Sequence, residues 1–286
     1  MVAWIAGCGA SSKAPTTAAS TEAVRIAPTN AAAVDLVFDL VGPERVVAVP
    51  TTVEEFANVP IDAARFGPDK RFPAFRAETL LGFAPDVAVV SPWQGQDTIE
   101  RLREAGVRVL ELPPVDSLAS LRAVILQLGV DLGAEARAAE LVADFDARVA
   151  AVAEAGKARA GQTAISYTNY GSGGWVAGSG TTASMVMELC GLTNRAATEG
   201  RKGHDTVDIE ALLAWDPDWI VVSKPSTTLG VTRAYLENES ALSGLRAIRM
   251  GHIAEVPANL YSTTSHYLVG AAEALSAELL RIEAQK

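Results

Sequence analysis

The amino-acid sequence predicts an α/β fold of two similar lobes, each a mostly parallel sheet flanked by helices, joined by one long rigid α-helix with a cleft between the lobes. Three observations predict this architecture. The segment Glu78-Thr-Leu-Leu-Gly-Phe-Ala-Pro-Asp-Val-Ala-Val-Val-Ser91 recurs as Glu210-Ala-Leu-Leu-Ala-Trp-Asp-Pro-Asp-Trp-Ile-Val-Val-Ser223, with eight of fourteen positions identical. Short apolar runs alternate with helical patterns in both halves, and a long helical pattern lies between them. Because the two copies lie far apart in the chain, they indicate two lobes and not a stack of small repeats.

The composition is that of a folded, acidic protein. Of 286 residues, 49% are hydrophobic and 20% are charged, so the chain has ample material for a core. The formal net charge is −10 at pH 7, which argues against nucleic acid as the main partner, because such a partner favours a basic surface. No apolar run of about 18 residues occurs, so no segment is predicted to span a membrane as a helix.

Residues 1–23 are predicted to be a signal remnant followed by a flexible tether. Ile5-Ala-Gly-Cys8 resembles the lipobox of bacterial lipoproteins, in which the cysteine is lipidated, and the small polar residues that follow suit a tether. A secretory signal needs a basic start and a longer apolar core than the seven residues before Cys8 provide. Either the true start lies upstream of Met1 or the resemblance is accidental.

The N-terminal lobe is predicted over residues 24–133. Gly42-Pro43 ends its first helix, and Pro85 separates a helix from a buried strand. Ser117 is placed to cap its last helix. In chain order the predicted elements are strand Val24–Ala27, helix Ala31–Leu40, strand Val46–Val49, helix Glu78–Phe83, strand Asp86–Val90, helix Asp97–Ala105, strand Val107–Leu112 and helix Ser117–Leu128.

Residues 134–158 are predicted to form the bridging helix. Leu141, Phe145, Val149 and Val152 make an apolar stripe at helical spacing, and Gly156 is the one breaker. A helix of this length spans roughly 35 Å. A rigid helix between two lobes limits how far the cleft opens, whereas a flexible linker does not.

The C-terminal lobe, residues 159–286, is predicted to repeat the order of the first. Its predicted elements are strand Ala164–Tyr167, a helix capped by Thr181 or Thr182 that runs to Gly191, the second copy of the repeat, a helix near Thr232–Glu237, strand His252–Val256 and an amphipathic helix over Val269–Glu283. Cys190, at the end of an apolar helix, is expected to be a buried core thiol. Neither cysteine lies in a zinc-ligand pattern.

Loops at the carboxyl ends of parallel strands line the crevice of an open α/β sheet, so the cleft is expected there. The segments involved are Pro28–Asn30, Pro50–Glu55, Ser91–Gln96, Pro113–Asp116, Thr168–Gly180, Gly200–His204, Lys224–Leu229 and Pro257–His266. They hold or adjoin many of the aromatic residues, which suit a large planar or macrocyclic ligand; the candidates are Trp93, Tyr167, Tyr170, Trp175, Tyr261 and Tyr267. For each ring, packing in the core is the alternative.

The basic segment Gly-Arg201-Lys202-Gly-His204 is the second kind of candidate. Arg201 and His204 are of the types that bind carboxylates or the negative charge of a ferric chelate. A solvated basic loop is the alternative interpretation. No Gly-x-Ser-x-Gly, P-loop or His-Glu-x-x-His motif is present, so no catalytic residues are assigned and no enzyme is predicted. No resident cofactor is predicted either.

The paired Glu-x-x-Leu-x-x-x-x-Pro-Asp-x-x-(Val/Ile)-Val segments, with the bridging helix between them, resemble the helix-backbone, or class III, solute-binding proteins of ABC importers for ferric siderophores, haem and cobalamin. The resemblance covers about residues 24–284. It implies that Glu78 and Glu210 dock onto arginines of the membrane permease; the alternative is that both merely stabilise helix N-termini. A double substitution to alanine is expected to abolish uptake and to leave ligand affinity intact.

The resemblance implies an extracytoplasmic, lipid-anchored monomer that works with an ABC permease and ATPase. A ferric siderophore is the first expectation for its cargo, followed by a cobalamin-type corrinoid and then haem; a scaffold without a small ligand remains a further alternative. A haem binder needs a tyrosinate or imidazole axial ligand, and Tyr261, His266 and Tyr267 are the candidates. All three histidines lie in the second half of the chain, which disfavours a site for a bare metal ion.

Overall fold

The computed structural model describes residues 24–169, 173–224 and 231–285. The predictions for Cys8 and Tyr170, and most of the predicted loop Lys224–Leu229, fall outside these residues. The described chain has two lobes, and it confirms the predicted two-lobe α/β class. None of its helices has the length and apolar character needed to cross a membrane.

The N-terminal lobe is built on a parallel sheet in the order β1-β4-β5, with a short parallel pair β2-β3 beside it. Asn30 begins the first helix, because its side chain accepts a hydrogen bond from the N–H of Ala33. The elements are β1 (Ile26–Pro28), α1 (Ala31–Val41), β2 (Val49–Pro50), α2 (Val53–Phe56), β3 (Arg71–Phe72), α3 (Ala77–Leu81), β4 (Val87–Val90), α4 (Gln96–Glu104) and β5 (Arg108–Glu111).

Two helices leave this lobe, α5 (Leu118–Leu132) and α6 (Glu135–Gly156). Ser117 caps α5 as predicted, and Gly133 ends it in the left-handed conformation, with φ 69°. Helix α6 has 22 residues, about 33 Å at 1.5 Å per residue, and the predicted stripe from Leu141 to Val152 is buried. It packs on α1 and α5 on one side of the molecule, so it is held against the N-terminal lobe over part of its length.

The C-terminal lobe carries a mixed sheet in the order β11-β10-β6-β7-β9, with β8 paired to the start of β6. Its elements are β6 (Thr163–Asn169), β7 (Gly174–Ala177), α7 (Thr182–Leu189), β8 (Thr193–Asn194), α8 (Arg195–Thr198), β9 (His204–Val207), α9 (Ile209–Trp215), β10 (Trp219–Lys224), α10 (Val231–Asn238), α11 (Arg246–Arg249), β11 (Ile253–Pro257), α12 (Ala258–Tyr261) and α13 (Leu268–Glu283). Helix α6 also packs on α7 and α13, so the bridging helix contacts both lobes.

Strands β7 and β9 correct the sequence analysis, which treated Thr168–Gly180 and Gly200–His204 as loops. Both strands are antiparallel to their neighbours and extend the sheet beyond the part that the repeat predicts. Each has only four residues; β7 lies between two glycines and β9 follows one, and glycines are typical of loops in a single sequence. Pairing of β7 with β6, and of β9 with β7, gives these short segments a strand conformation that they do not specify alone.

The two copies of the repeat occupy equivalent positions. Strand β4 lies between β1 and β5, and β10 lies between β6 and β11, so each copy supplies a strand flanked on both sides by parallel partners. The residue before each proline has a positive φ, 47° at Ala84 and 37° at Asp216. Each Pro-Asp carboxylate accepts a hydrogen bond at the start of the first strand of its lobe: Asp86 from the N–H of Arg25, just before β1, and Asp218 from the N–H of Thr163, the first residue of β6, both at 2.8 Å.

Close backbone contacts fix the bridging helix to the C-terminal lobe. A Cβ atom at Gly156 would lie 2.6 Å from the carbonyl oxygen of Leu189, at the end of α7. A Cβ at Gly191 would lie 1.9 Å from the carbonyl oxygen of Gly156. One continuous apolar core joins α1, α5 and α6 to α7 and α13. The lobes are therefore connected by a shared core as well as by the chain.

Candidate functional site

A cleft of about 780 Å³ lies between the lobes, a volume that suits a small-molecule ligand. The N-terminal lobe contributes Trp93, which follows β4, and Val115, which follows β5. The other described lining residues belong to the C-terminal lobe and are mainly small, hydroxyl-bearing or aromatic: Ser166, Thr168, Trp175, Val176, Ala177, Gly180, Thr181, Thr182, Ala183, Gly203, His204, Ser223, Tyr261, Ser262 and Thr264.

Trp93 stands on a turn that neighbouring polar side chains hold in place. The N–H of Gln94 donates to the carbonyl oxygen of Ser91 at 3.1 Å, which closes the turn around Pro92 and Trp93. The Gln94 carboxamide oxygen accepts from the Ser91 N–H at 2.8 Å and from the Thr29 hydroxyl at 2.6 Å. The indole is left 65% exposed at the mouth of the cleft. This aromatic surface is therefore positioned before any ligand arrives.

One face of the C-terminal sheet forms the opposite wall. Thr168 on β6 pairs with Trp175 on β7, and Ala177 on β7 pairs with His204 on β9, so these four residues share a face. Tyr167 lies one position along β6 and therefore faces the other way, into the core, where its ring stacks on Tyr235. The prediction that Tyr167 lies at the cleft is not supported by this placement, because side chains alternate along a strand.

The basic segment before β9 divides into residues that face the cleft and residues that do not. His204 lines the cleft, whereas the Arg201 guanidinium points to Asp205, with Nη1 and Oδ2 2.7 Å apart, and lies over the ring of Trp215. This ion pair lowers the pKa of the Asp205 carboxyl. Arg201 therefore has a partner outside the cleft.

The segment from Tyr261 to Tyr267 closes the cleft floor, and its residues alternate between two roles. Ser262 and Thr264 line the cleft together with Tyr261. Thr263 and Ser265 are buried on the opposite side, away from the cleft. Tyr261 is buried, with 8% of its surface exposed, and this burial raises the pKa of its hydroxyl well above its usual range.

Ser265 and His266 belong to an interlobe cluster with Asp35, Asp39 and Asn58. Asp35 Oδ2 accepts from the Ser265 hydroxyl at 3.0 Å and from the Asn58 carboxamide at 2.8 Å, and Asp35 Oδ1 accepts from the Asn58 N–H at 2.7 Å. His266 Nε2 lies 3.0 Å from Asp39 Oδ2. Burial raises the pKa of the fully buried Asp35 carboxyl, and the hydrogen bonds partly oppose that shift. The cluster ties α1 of one lobe to the cleft floor of the other.

Tyr267 lies beside this interlobe cluster and does not line the cleft. Its ring contacts that of His266, with centroids 4.4 Å apart. Burial and the negative charge of Asp39 raise the pKa of the Tyr267 hydroxyl. The structure thus separates the predicted ligand contacts: Trp93, Trp175, His204 and Tyr261 line the cleft, while Tyr167, Arg201, His266 and Tyr267 lie elsewhere.

The hydroxyl residues of the cleft are what sequence reasoning missed. Among the described lining residues, no side chain is that of Lys, Arg, Asp or Glu, and the polar groups are hydroxyls, indole N–H groups, backbone groups and one imidazole. No group of three His, Cys, Asp or Glu side chains that could hold a metal ion occurs in the described chain. The run of four hydroxyl residues from Ser262 to Ser265 was the available signal in the sequence.

Glu78 and Glu210 have matching positions on the two lobes. Each is the second residue of its helix, α3 or α9, and each is exposed. Glu78 pairs with Arg101, with Oε1 and Nη1 2.9 Å apart, and the Glu78 N–H, followed by that guanidinium, lowers the pKa of the carboxyl. Each lobe therefore presents an exposed glutamate carboxylate at the same helix position.

A family profile described as periplasmic binding protein matches residues 26–260, which is most of the chain. The chain belongs to the periplasmic binding protein family. Members of this family bind substrates and are not enzymes; they bind small metal chelates, work with ABC transporters and are extracytoplasmic. The predicted family, which includes binders of siderophores, haem and cobalamin, is confirmed.

Individual relatives span these ligand classes. A cobalamin-binding protein from Halobacterium salinarum is 26% identical over 184 residues, which are 64% of this chain and 50% of that protein. This periplasmic binding protein therefore spans about half the length of the curated relatives it matches. A periplasmic heme binding protein from Pseudomonas aeruginosa is 26% identical, with a TM-score of 0.74 over 88% of this chain and 91% of that one. An Fe3+-hydroxamate transport system from Saccharomonospora viridis is 21% identical, with a TM-score of 0.70 over 89% and 92% of the two chains.

Proposed function

We propose that this periplasmic binding protein captures a large metal chelate without net negative charge, a cobalamin-type corrinoid, and delivers it to an ABC permease. In this proposal it acts as a monomer, with lobes 24–133 and 159–286 joined by the helix of residues 134–158. The observation that carries the proposal is the neutral lining of the cleft, where hydroxyls and two tryptophans from opposite lobes replace charged side chains.

The lining supports a corrinoid because it matches the chemistry of that ligand. A corrin ring offers a broad apolar face for aromatic side chains, and its peripheral amides are hydrogen-bonding groups that serine and threonine hydroxyls recognise. The similarity to a cobalamin-binding protein points in the same direction. Trp93 and Trp175, which are 65% and 43% exposed, offer the aromatic surface.

The neutral lining also bears on the other two candidate cargoes, haem and ferric siderophores. Haem carries two propionates, and an anionic ferric chelate also calls for cationic partners, whereas the described lining holds no Lys or Arg side chain. A ferric trihydroxamate has no net charge at the metal centre, since three hydroxamates balance Fe³⁺. A neutral ferric trihydroxamate is therefore the second candidate, and it retains the siderophore prediction in a narrower form.

The test is a comparison of dissociation constants for cyanocobalamin, a neutral ferric trihydroxamate and haem, measured by calorimetry and tryptophan fluorescence. Micromolar or tighter binding of cyanocobalamin, and at least about a hundredfold preference over haem, is expected. Preferential binding of the trihydroxamate would select the second candidate. Binding of none of the three chelates would refute the transport cargo and favour a scaffold.

Docking to the permease is the second part of the proposal. Exposed carboxylates at the same helix position on both lobes support it, because two fixed cations on a permease can test the separation of two such groups. The double substitution Glu78→Ala with Glu210→Ala is expected to abolish uptake in cells and to leave the ligand dissociation constant within about twofold. Glu104→Ala with Glu237→Ala is a matched charge control. Unchanged uptake in the first pair would refute docking through these residues.

Anchoring through a lipid on Cys8 is the third part, and it is supported by the Ile5-Ala-Gly-Cys8 motif and the polar tether that follows it. The test is to express the gene from its own start codon in cells supplied with a labelled fatty acid, and to measure the label on the protein. Label is expected in the wild-type protein and absent after Cys8→Ser. Equal labelling of both proteins, or of neither, would refute this anchor.

A further inference from the structure

His204 differs from the other histidines of the chain because its ring is available. His252 stacks on Trp219, with ring centroids 4.0 Å apart, and its Nδ1 lies 2.9 Å from the carbonyl oxygen of Asp218. His266 is buried beside Asp39 in the interlobe cluster. The His204 ring is exposed, lines the cleft, and has no hydrogen bond or ion pair within the described parts of the chain. It is the one imidazole among the described lining residues.

The strand register directs His204 to the same surface as Trp175. In the antiparallel pair β7-β9, His204 is opposite Ala177 and Trp175 is opposite Thr206. His204 and Trp175 are therefore diagonal neighbours on one face, a spacing at which long and aromatic side chains reach each other. A flat ligand lying against Trp175 thus has an imidazole within its own footprint.

The backbone before His204 is fixed by hydrogen bonds to the chain after β7. The N–H of Gly178 donates to the carbonyl oxygen of Gly203 at 2.7 Å, and the N–H of Gly203 donates to that of Ser179 at 2.9 Å. A Cβ atom at Gly178 would lie 2.2 Å from the carbonyl oxygen of Arg201, so a glycine is needed for this approach. The imidazole is therefore presented from a rigid edge of the sheet and not from a loop that must first become ordered.

Coordination chemistry gives this side chain a use that the serine and threonine hydroxyls of the described lining cannot match. Imidazole nitrogen is a strong ligand for transition metals, whereas neutral serine and threonine hydroxyls are weak ones. We infer that His204 ligates the metal of the bound macrocyclic chelate at an axial position. This inference rests on the proposed function, because it needs a planar metal chelate in the cleft.

The ligation step is a simple exchange without redox change. One metal–oxygen bond to an axial water breaks, one bond from a neutral imidazole nitrogen to the metal forms, and the water leaves for solvent. The nitrogen contributes both electrons of the new bond, so no proton or oxidant is required. A chelate whose two axial positions carry tightly held cyanides cannot undergo this exchange, and this difference makes the inference testable.

The experiment compares diaquocobinamide with dicyanocobinamide as probes of the purified protein. Visible absorption is expected to shift when diaquocobinamide binds, because nitrogen replaces oxygen at cobalt, and to stay unchanged for dicyanocobinamide. In His204→Ala the shift is expected to disappear and the affinity for diaquocobinamide to fall about tenfold or more, with dicyanocobinamide affinity within about twofold. His204→Gln is expected to behave like His204→Ala, and free imidazole to restore the shifted spectrum of the complex.

Thr206→Ala is the matched control, because Thr206 lies on the same strand and is exposed but is not among the cleft-lining residues. It is expected to keep both the spectrum and the affinities. A wild-type spectrum that does not shift, or a shift that persists in His204→Ala, would overturn the ligation while leaving corrinoid binding intact. If neither cobinamide and no cobalamin binds, the proposed cargo and the ligation are both refuted.

Discussion

Replacing Ser265 by alanine tests whether the interlobe cluster stabilises the protein through a buried carboxylate. The Ser265 hydroxyl donates to Asp35 Oδ2 at 3.0 Å and lies 2.8 Å from the hydroxyl of Thr263. Both Asp35 and Ser265 are fully buried, so water does not readily replace the lost donor. A hydrogen bond to a charged group contributes about 1.5–3 kcal/mol, and we expect the free energy of unfolding to fall by that amount at pH values where Asp35 is ionised.

The effect is expected to depend on pH with a definite sign. Burial raises the pKa of Asp35, and the bond from Ser265 lowers it. Removing Ser265 therefore raises the pKa of Asp35 further, because the ionised form loses a donor. A carboxyl whose folded pKa is raised destabilises the fold progressively as pH rises from its unfolded pKa to its folded pKa. The loss added by the substitution is therefore full above the folded pKa of Asp35 in the variant, and it diminishes as the group is protonated. Below both pKa values only a neutral hydrogen bond is lost, about 0.5–1.5 kcal/mol.

The assay is urea denaturation of Ser265→Ala at about pH 7.5 and about pH 4.5, with Thr264→Ala as the control. Thr264 is the adjacent residue but lines the cleft, so its substitution is expected to alter ligand affinity and to leave stability within about 0.5 kcal/mol. An equal loss of stability for Ser265→Ala at both pH values would refute the role of the charged Asp35, and a loss no larger than that of the control would refute the cluster's contribution altogether.

Two further predictions concern the cleft and the bridging helix. Trp93→Ala is expected to weaken cyanocobalamin binding about 30- to 100-fold in calorimetry, because the ligand would no longer cover a largely exposed indole. Gln94→Leu is expected to give a smaller loss of affinity, because it loosens the turn that holds Trp93. An unchanged affinity in Trp93→Ala would place the ligand elsewhere. Gly156→Ala is expected to lower the free energy of unfolding, measured by denaturant titration, by about 1–3 kcal/mol, because its Cβ would meet the α7 backbone. Gly95→Ala is the neutral control, because a Cβ there has no other atom within 4 Å. Similar stabilities of the two variants would contradict the close contact at Gly156.

The sequence predicted the main frame of the fold because that frame depends on local patterns. Apolar runs that lie between prolines marked β4 and β10, and helical spacing marked the stripe from Leu141 to Val152. The ends of parallel strands also marked where the cleft would lie, including the turn at Trp93. Short strands such as β7 were missed because four residues flanked by glycine carry too little pattern.

The side chains of the site were harder to predict because their directions depend on partners far away in sequence. Tyr167 was an expected ligand contact, but the pairing of Thr168 with Trp175 turns Thr168 to the cleft and Tyr167 to the core. His266 was an expected axial ligand, but Asp39, far along the chain, holds it in the interlobe cluster.

The sequence by itself determined that this protein has two related lobes, a helix between them and a cleft at the ends of their strands, because repetition, period and breakers are properties of the chain alone. Tertiary structure decided which groups the cleft presents. Strand register placed the His204 imidazole and the Thr168 hydroxyl beside Trp175, and the ion pair with Asp205 gave the Arg201 guanidinium a partner outside the cleft. Register and pairing join residues distant in sequence, and this is why the neutral chemistry of the site became visible only in the folded molecule.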